Sequence, residues 1–177
     1  MRIRADCDSP AWQRDFDPPE PLDNPDLRLV PLGPPVVDAD YQALMSCRER
    51  LVRELDWNQW PPEGFTLEDN REDLARHYAE FVNREAYAYS LFRGDWCFGC
   101  IYIEPWNTGA QLAFWVVDAA LEREAEVVSR VLDWLSQWPF EQVIVPVKPD
   151  NLRGQQALAE AGLARCEGPQ GHISFVR

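Results

Sequence analysis

The sequence predicts a mixed α/β domain: a mostly antiparallel sheet flanked by helices, with one parallel strand–helix–strand crossover. Three observations predict it. Two segments with apolar residues at helical spacing precede a strand-rich centre. That centre holds three runs of aromatic and branched residues, the first two separated by Arg93-Gly94-Asp95, which is hairpin chemistry. An amphipathic stretch then leads into Val143-Ile-Val-Pro-Val147, the pattern of a strand buried on both faces and reached by a crossover.

Taken in order, the first 35 residues hold eight of the 15 prolines, which remove backbone donors and block helix, so 1–26 reads as an irregular arm. A short strand follows at 27–32. Asp38 is placed to cap a helix over 38–56, with Tyr41, Leu44, Met45, Arg48, Leu51, Val52 and Leu55 at helical spacing. Thr66 and Asp69 make a capping-box-like start for a helix over 67–85 carrying Leu74, His77, Tyr78, Phe81 and Val82. Strands are expected at 86–92, 96–103 and 111–117. Leu121, Ala125, Val128, Leu132 and Leu135 then step along a helix over 121–135. After the strand at 142–147, Asp150 or Asn151 caps a short helix that Gly162 ends in a left-handed position. Strands at 164–167 and 172–176 finish the chain.

At 177 residues the chain is of single-domain size, domains running to roughly 100–200 residues. A formal charge of −13 argues against nucleic acid, which selects a basic face. No apolar run approaches the roughly 18 residues that a membrane helix needs, and the N-terminus lacks the apolar core of a secretory signal. The expected compartment is therefore the cytoplasm. Five cysteines, Cys7, Cys47, Cys97, Cys100 and Cys166, fit reduced thiols rather than a disulfide framework. Cys97 and Cys100, three apart on a strand, are expected on opposite faces, and with His77 and His172 as the only histidines no metal site is expected.

The segment Val145-Pro-Val-Lys-Pro-Asp-Asn-Leu-Arg-Gly-Gln-Gln-Ala-Leu-Ala-Glu-Ala-Gly-Leu163 joins a buried strand, an Asn, a short helix and a closing glycine, and Phe98-Gly-Cys-Ile-Tyr102 carries a strand-ending Gly-x-Ile. In this order of elements, over about 27–176, the chain resembles the GNAT superfamily of acyl-CoA-dependent N-acetyltransferases. The resemblance divides the chain into a proline-rich arm, 1–26, and a GNAT-like acyltransferase domain, 27–177. It implies acetyl-CoA as cosubstrate, its pantetheine arm held by the backbone of Phe114, Trp115, Val116 and Val117 and by Asn151, and its pyrophosphate at the start of the next helix. There the sequence departs from the family: Ala119-Ala-Leu-Glu-Arg-Glu-Ala-Glu126 has no glycine and three carboxylates, leaving Arg123 as the helpful charge. A tyrosine common in the family is Leu158 here, which donates no proton. The candidates that remain are Glu104 as general base and Tyr102, two residues earlier on the same strand face, as acid.

Each candidate also has a structural reading. Asn151 caps a helix or holds the arm; Glu104 is a solvated carboxylate or a base. Most of the eight tryptophans fill core, while Trp57 and Trp60, between the first two helices, pack a hinge or wall a substrate. The acidic surplus either solubilises the chain or attracts a cationic amine. Two functions follow as expectations: acetyl transfer from acetyl-CoA to a small-molecule or peptide amine, or a non-catalytic member of the fold that binds an acyl-CoA, another small ligand or a protein partner. A homodimer is compatible with both, and a third reading gives the arm an interaction role.

Overall fold

The computed structural model describes Trp12, residues 16–168 and residues 171–177. Cys7 and the rest of the first fifteen residues lie outside that range. Eight strands form one sheet in the order β1-β2-β3-β4-β5-β6-β8-β7: β1 (Asp23–Asn24), β2 (Leu27–Pro31), β3 (Tyr87–Arg93), β4 (Trp96–Trp106), β5 (Gly109–Val116), β6 (Val143–Val147), β7 (Ala164–Glu167) and β8 (Ile173–Val176). All neighbours are antiparallel except β5 and β6, the expected crossover. The short β1 lies where an irregular arm was expected and pairs with β2 through Asp23↔Arg28 and Asn24↔Leu27. Two residues are too few to leave a period in the sequence.

Among the described residues five α-helices complete the fold: α1 (Val37–Ser46), α2 (Arg48–Glu54), α3 (Leu67–Val82), α4 (Glu124–Leu135) and α5 (Leu152–Glu160). The expected single helix over 38–56 is broken at Cys47. Ser46 Oγ donates to Ala43 O at 2.6 Å, and Cys47 N–H reaches back only to Leu44 O, so local bonds displace the regular helical ladder. Asp38 does not cap α1: a 3₁₀ turn, Pro34–Val36, leads into it and Val36 holds the cap position without a side-chain bond. The box at α3 forms as expected, Thr66 Oγ1 accepting from Asp69 N–H while Asp69 Oδ2 accepts from Thr66 N–H at 2.8 Å. Gly162 takes φ +85° after α5, the left-handed stop read from the sequence.

The centre of the sheet is dense with aromatic side chains. Tyr89 meets Trp134 edge-on at 5.4 Å and Phe81 at 5.5 Å, and Trp115, Trp134, Tyr87 and Phe98 are fully buried. Gly99 is required in β4, since a Cβ there would stand 2.3 Å from Trp115 O on β5. A bulge shifts the β3–β4 register from Leu91↔Gly99 to Phe92↔Cys97. It breaks the strict alternation that puts Cys97 and Cys100 on opposite faces, and both thiols are buried within the field of Asp40. Burial pushes the Cys97 thiol up to about 12. Among the described residues no group of His, Cys, Asp or Glu side chains is arranged to hold a metal ion.

β4 is three residues longer than expected because it runs through Pro105, opposite Ala110. Ala110 turns its N–H away, to Gln142 O just before β6, so this is a non-hydrogen-bonded position and the missing donor costs no ladder bond. The same logic explains where β5 and β6 part. Their pairing is Ala110↔Val143 and Gln111↔Ile144 and then stops. In a parallel ladder the next donor would be the N–H of residue 146, aimed at Leu112 O, and residue 146 is proline.

A cleft at the open end of the parallel pair

Beyond that proline no strand among the described residues pairs with the edge of β5. Val117 N–H donates to Phe98 O on β4 and Ala110 N–H donates toward β6, so alternation turns the N–H and C=O of Phe114 and Val116 into the gap. Only these two of the four expected backbone positions face it. Trp115 contributes its side chain, and both backbone groups of Val117 are used, the N–H by Phe98 O and the carbonyl by Ala120 N–H at 2.9 Å.

A cleft of about 490 Å³ opens from this gap. At one end Trp57, Trp60, Tyr102, Glu104 and His77 line it; at the other stand Arg50, Glu54, Glu124, Arg153 and Asn151. Tyr102 and Glu104 sit two apart on β4, opposite Ala113 and Gln111. Gln111 Nε2 donates to Glu104 Oε2 at 2.9 Å, and Trp115 Nε1 donates to Tyr102 Oη at 3.3 Å. Because the phenol oxygen accepts there, its own proton remains for another acceptor. Burial pushes the Tyr102 phenol well above its ordinary range, so it stays protonated. Trp57 meets the Tyr102 ring edge-on at 5.2 Å and Trp60 at 5.6 Å, so the two expected wall residues and Tyr102 form one aromatic end.

His77 lies against the Tyr102 ring at 5.2 Å with Nε2 3.6 Å from Asp73 and Nδ1 3.4 Å from Glu80. Burial alone would push Asp73 up; His77 and Arg76 outweigh it and hold the carboxyl down at about 2. The spacing Asp73, Arg76, His77, Glu80 was the available sequence signal for this cluster, four groups on one helical face.

At the far end the ion pairs run continuously from α2 to α4. Arg50 donates to Val116 O and pairs with Asp118 and with Glu54, the latter at 3.1 Å; Glu54 also takes Arg153 at 2.7 Å, and Arg153 pairs with Glu124. Burial pushes Glu54 up, and its bonds to Arg153 and Arg50 more than reverse this, holding it below its ordinary value. Asn151 Oδ1 accepts from Gly154 N–H at 2.9 Å, capping α5, while its Nδ2 reaches Glu54 O at 3.4 Å. Arg123 does not line the cleft: its guanidinium bonds Glu126 and Asp26 O and lies over the Phe98 ring. Leu158 is buried and lines the cleft as an apolar wall.

A mixed sheet whose parallel pair opens onto a cleft defines a class of fold before it defines a protein. Neither a protein-family model nor a curated protein matches the chain. Solved structures do. A protein described as a ribosomal-protein-serine acetyltransferase from Vibrio cholerae superposes with a TM-score of 0.71 at 16% identity, over 92% of this chain and 99% of that one. RimL, an alpha-N-protein acetyltransferase of a ribosomal protein, in complex with coenzyme A, gives 0.70 at 14% identity, over 86% and 93%. MccE, a microcin self-immunity acetyltransferase, in complex with acetyl-CoA and AMP, gives 0.72 at 10%, over 86% and 91%. The fold is the GNAT fold of these acetyltransferases. No helix among the described residues is long and apolar enough to cross a membrane.

Proposed function

We propose that the protein is an acetyl-CoA-dependent N-acetyltransferase that acts on a primary amine by direct attack within a ternary complex. The observation that carries this reading is the edge of β5 that no described strand covers, where Phe114 and Val116 turn donors and acceptors into a gap that Pro146 keeps open. The residues present fit the cofactor. Amide groups of an extended arm complement that edge as a strand would, Leu158 and Val145 offer apolar walls, and Arg50, Arg153 and Lys148 stand on the cleft for an anionic end. Bound there, acetyl-CoA supplies an acetyl group activated as a thioester.

The chain's own residues supply position and proton transfer. Backbone N–H groups of the β5 edge polarise the reacting carbonyl. Glu104, oriented by Gln111, accepts the proton of the attacking amine directly or through water, and Tyr102 donates to the departing sulfur. Trp57 and Trp60 wall the acceptor side, and the net charge of −13 favours a cationic amine. Acetylation of ribosomal proteins by the structural neighbours supports a peptide N-terminus as acceptor.

Calorimetric titration with acetyl-CoA and CoA tests the reading: micromolar binding supports it, and no binding at near-millimolar ligand overturns it. In an amine and peptide screen, Glu104→Gln and Tyr102→Phe should each lower turnover by about a hundredfold, the usual size of a lost acid or base, with acetyl-CoA affinity kept. The buried Leu158 and the glycine-free turn Asp118–Arg123 favour a second reading, a binding protein of the same fold. Tight binding with no amine acetylated would establish it.

A further inference from the structure

The ion pairs across the cleft are more than a brace. In the alternating series Asp118, Arg50, Glu54, Arg153, Glu124, each guanidinium is shared by two carboxylates and Glu54 is shared by both guanidiniums. The Glu54 and Glu124 side chains are 12% and 4% exposed, so these charges are largely removed from water. The exposed Arg53 adds a third guanidinium 3.8 Å from Glu54, so every positive charge of the series is already matched by a carboxylate and an anion approaching from the cleft must compete for it. Glu124 is also the first residue of α4, where the helix dipole favours negative charge, although its own N–H is already bonded to Leu121 O in the preceding 3₁₀ turn. Arg50 completes the closure by donating to Val116 O, an acceptor of the open β5 edge.

A carboxylate and a phosphate present the same fork of oxygens to a guanidinium, so one can replace the other in place. Resting on the acetyl-CoA reading, we propose that Glu54 and Glu124 are internal substitutes for ligand phosphates, holding Arg50 and Arg153 until a phosphorylated ligand takes over both guanidiniums. Exchange leaves Glu124 without a guanidinium and Glu54 with only the exposed Arg53, both in poorly solvated positions, which opposes binding. The carboxylates thus set the affinity of the cleft, and neutralising either one lowers the penalty while leaving the guanidiniums in place.

Titration calorimetry on the full chain, with CoA and with pantetheine, which lacks the phosphates, tests this in wild type, Glu124→Gln, Glu54→Gln and Glu122→Gln. Glu122 is an exposed carboxylate just before α4, outside the series. Glu124→Gln and Glu54→Gln should bind CoA at least about tenfold tighter than wild type, Glu122→Gln within about twofold, as expected for buried and exposed charges respectively. Pantetheine should bind all four alike, and adding Arg153→Gln to Glu124→Gln should abolish the gain. Unfolding midpoints identify a variant that does not fold; Glu54→Gln then carries the comparison for Glu124→Gln, and the reverse. Equal gains in Glu122→Gln and Glu124→Gln, or CoA binding unchanged in all variants, would overturn the substitution and leave the acetyltransferase reading standing. Failure of every variant to bind either CoA or pantetheine would overturn both.

Discussion

Asp40 shows how one buried residue tilts stability. Its carboxyl is 3% exposed on α1; Asn70 Nδ2 donates to its Oδ2 at 3.0 Å, while Asp40 Oδ1 and Asn70 Oδ1 lack partners. Burial pushes it up from 3.8 to about 6, against the lowering by the Asn70 bond. Below pH 3.8 it is protonated in both states. Between 3.8 and about 6 the unfolded chain releases the proton first, so rising pH costs the native state about 3 kcal/mol in that window. Asp40→Asn supplies an uncharged donor, and denaturant unfolding should show it more stable than wild type by about 1–3 kcal/mol at pH 7, with the decline between pH 4 and 6 gone. Asp73 acts with the opposite sign. Held at about 2, it contributes stability above 3.8 that is lost as pH falls toward 2.

At the scale of elements, Pro146 decides how far β5 and β6 zip together. Replacing it with valine restores the N–H that would donate to Leu112 O. We expect Pro146→Val to narrow the gap, to gain about 1 kcal/mol for the added ladder bond, and to weaken acetyl-CoA binding. Thermal unfolding and calorimetry on one sample check both signs; a stabilised protein with undiminished binding would separate the gap from the cofactor. The break between α1 and α2 matters in the same way, since α2 buries Leu51 while Arg50 and Glu54, one turn apart, line the cleft.

Across the whole molecule, the described residues before β2 pack on the core of their own chain. Trp12 stacks on Tyr87 at 5.6 Å and donates to Gly109 O at 3.0 Å, Phe16 meets Trp138 at 5.9 Å, and Trp134 Nε1 donates to Glu20 O at 2.9 Å. These contacts favour a strap over the interaction arm considered from sequence. Trp12→Ala should lower stability by about 2–3 kcal/mol, somewhat less than for a fully buried tryptophan, without changing the oligomeric state. Chemical denaturation with size-exclusion chromatography reads both, and a change of oligomer with unaltered stability would restore the interaction role.

The order of elements was legible in the residues because its causes are local. The helical stripe from Leu121 to Leu135, the hairpin at Arg93-Gly94-Asp95, the Thr66–Asp69 box and the stop at Gly162 all rest on neighbours within a few turns of chain. Tyr102 and Glu104 were legible as a pair for the same reason, being two apart on one strand. The ion series was not, because Arg153 meets Glu54 99 positions away and Glu124 29 away, and a charged residue in sequence carries no mark of its partner. Pro146 stood in plain view, yet its effect depends on which side of β6 lacks the donor. That side follows from the register Gln111↔Ile144, set when two distant segments pack. Local chemistry thus determined the elements and their sequence; the pairing of surfaces far apart in the chain determined that the cleft is open along β5 and bridged by the protein's own charges.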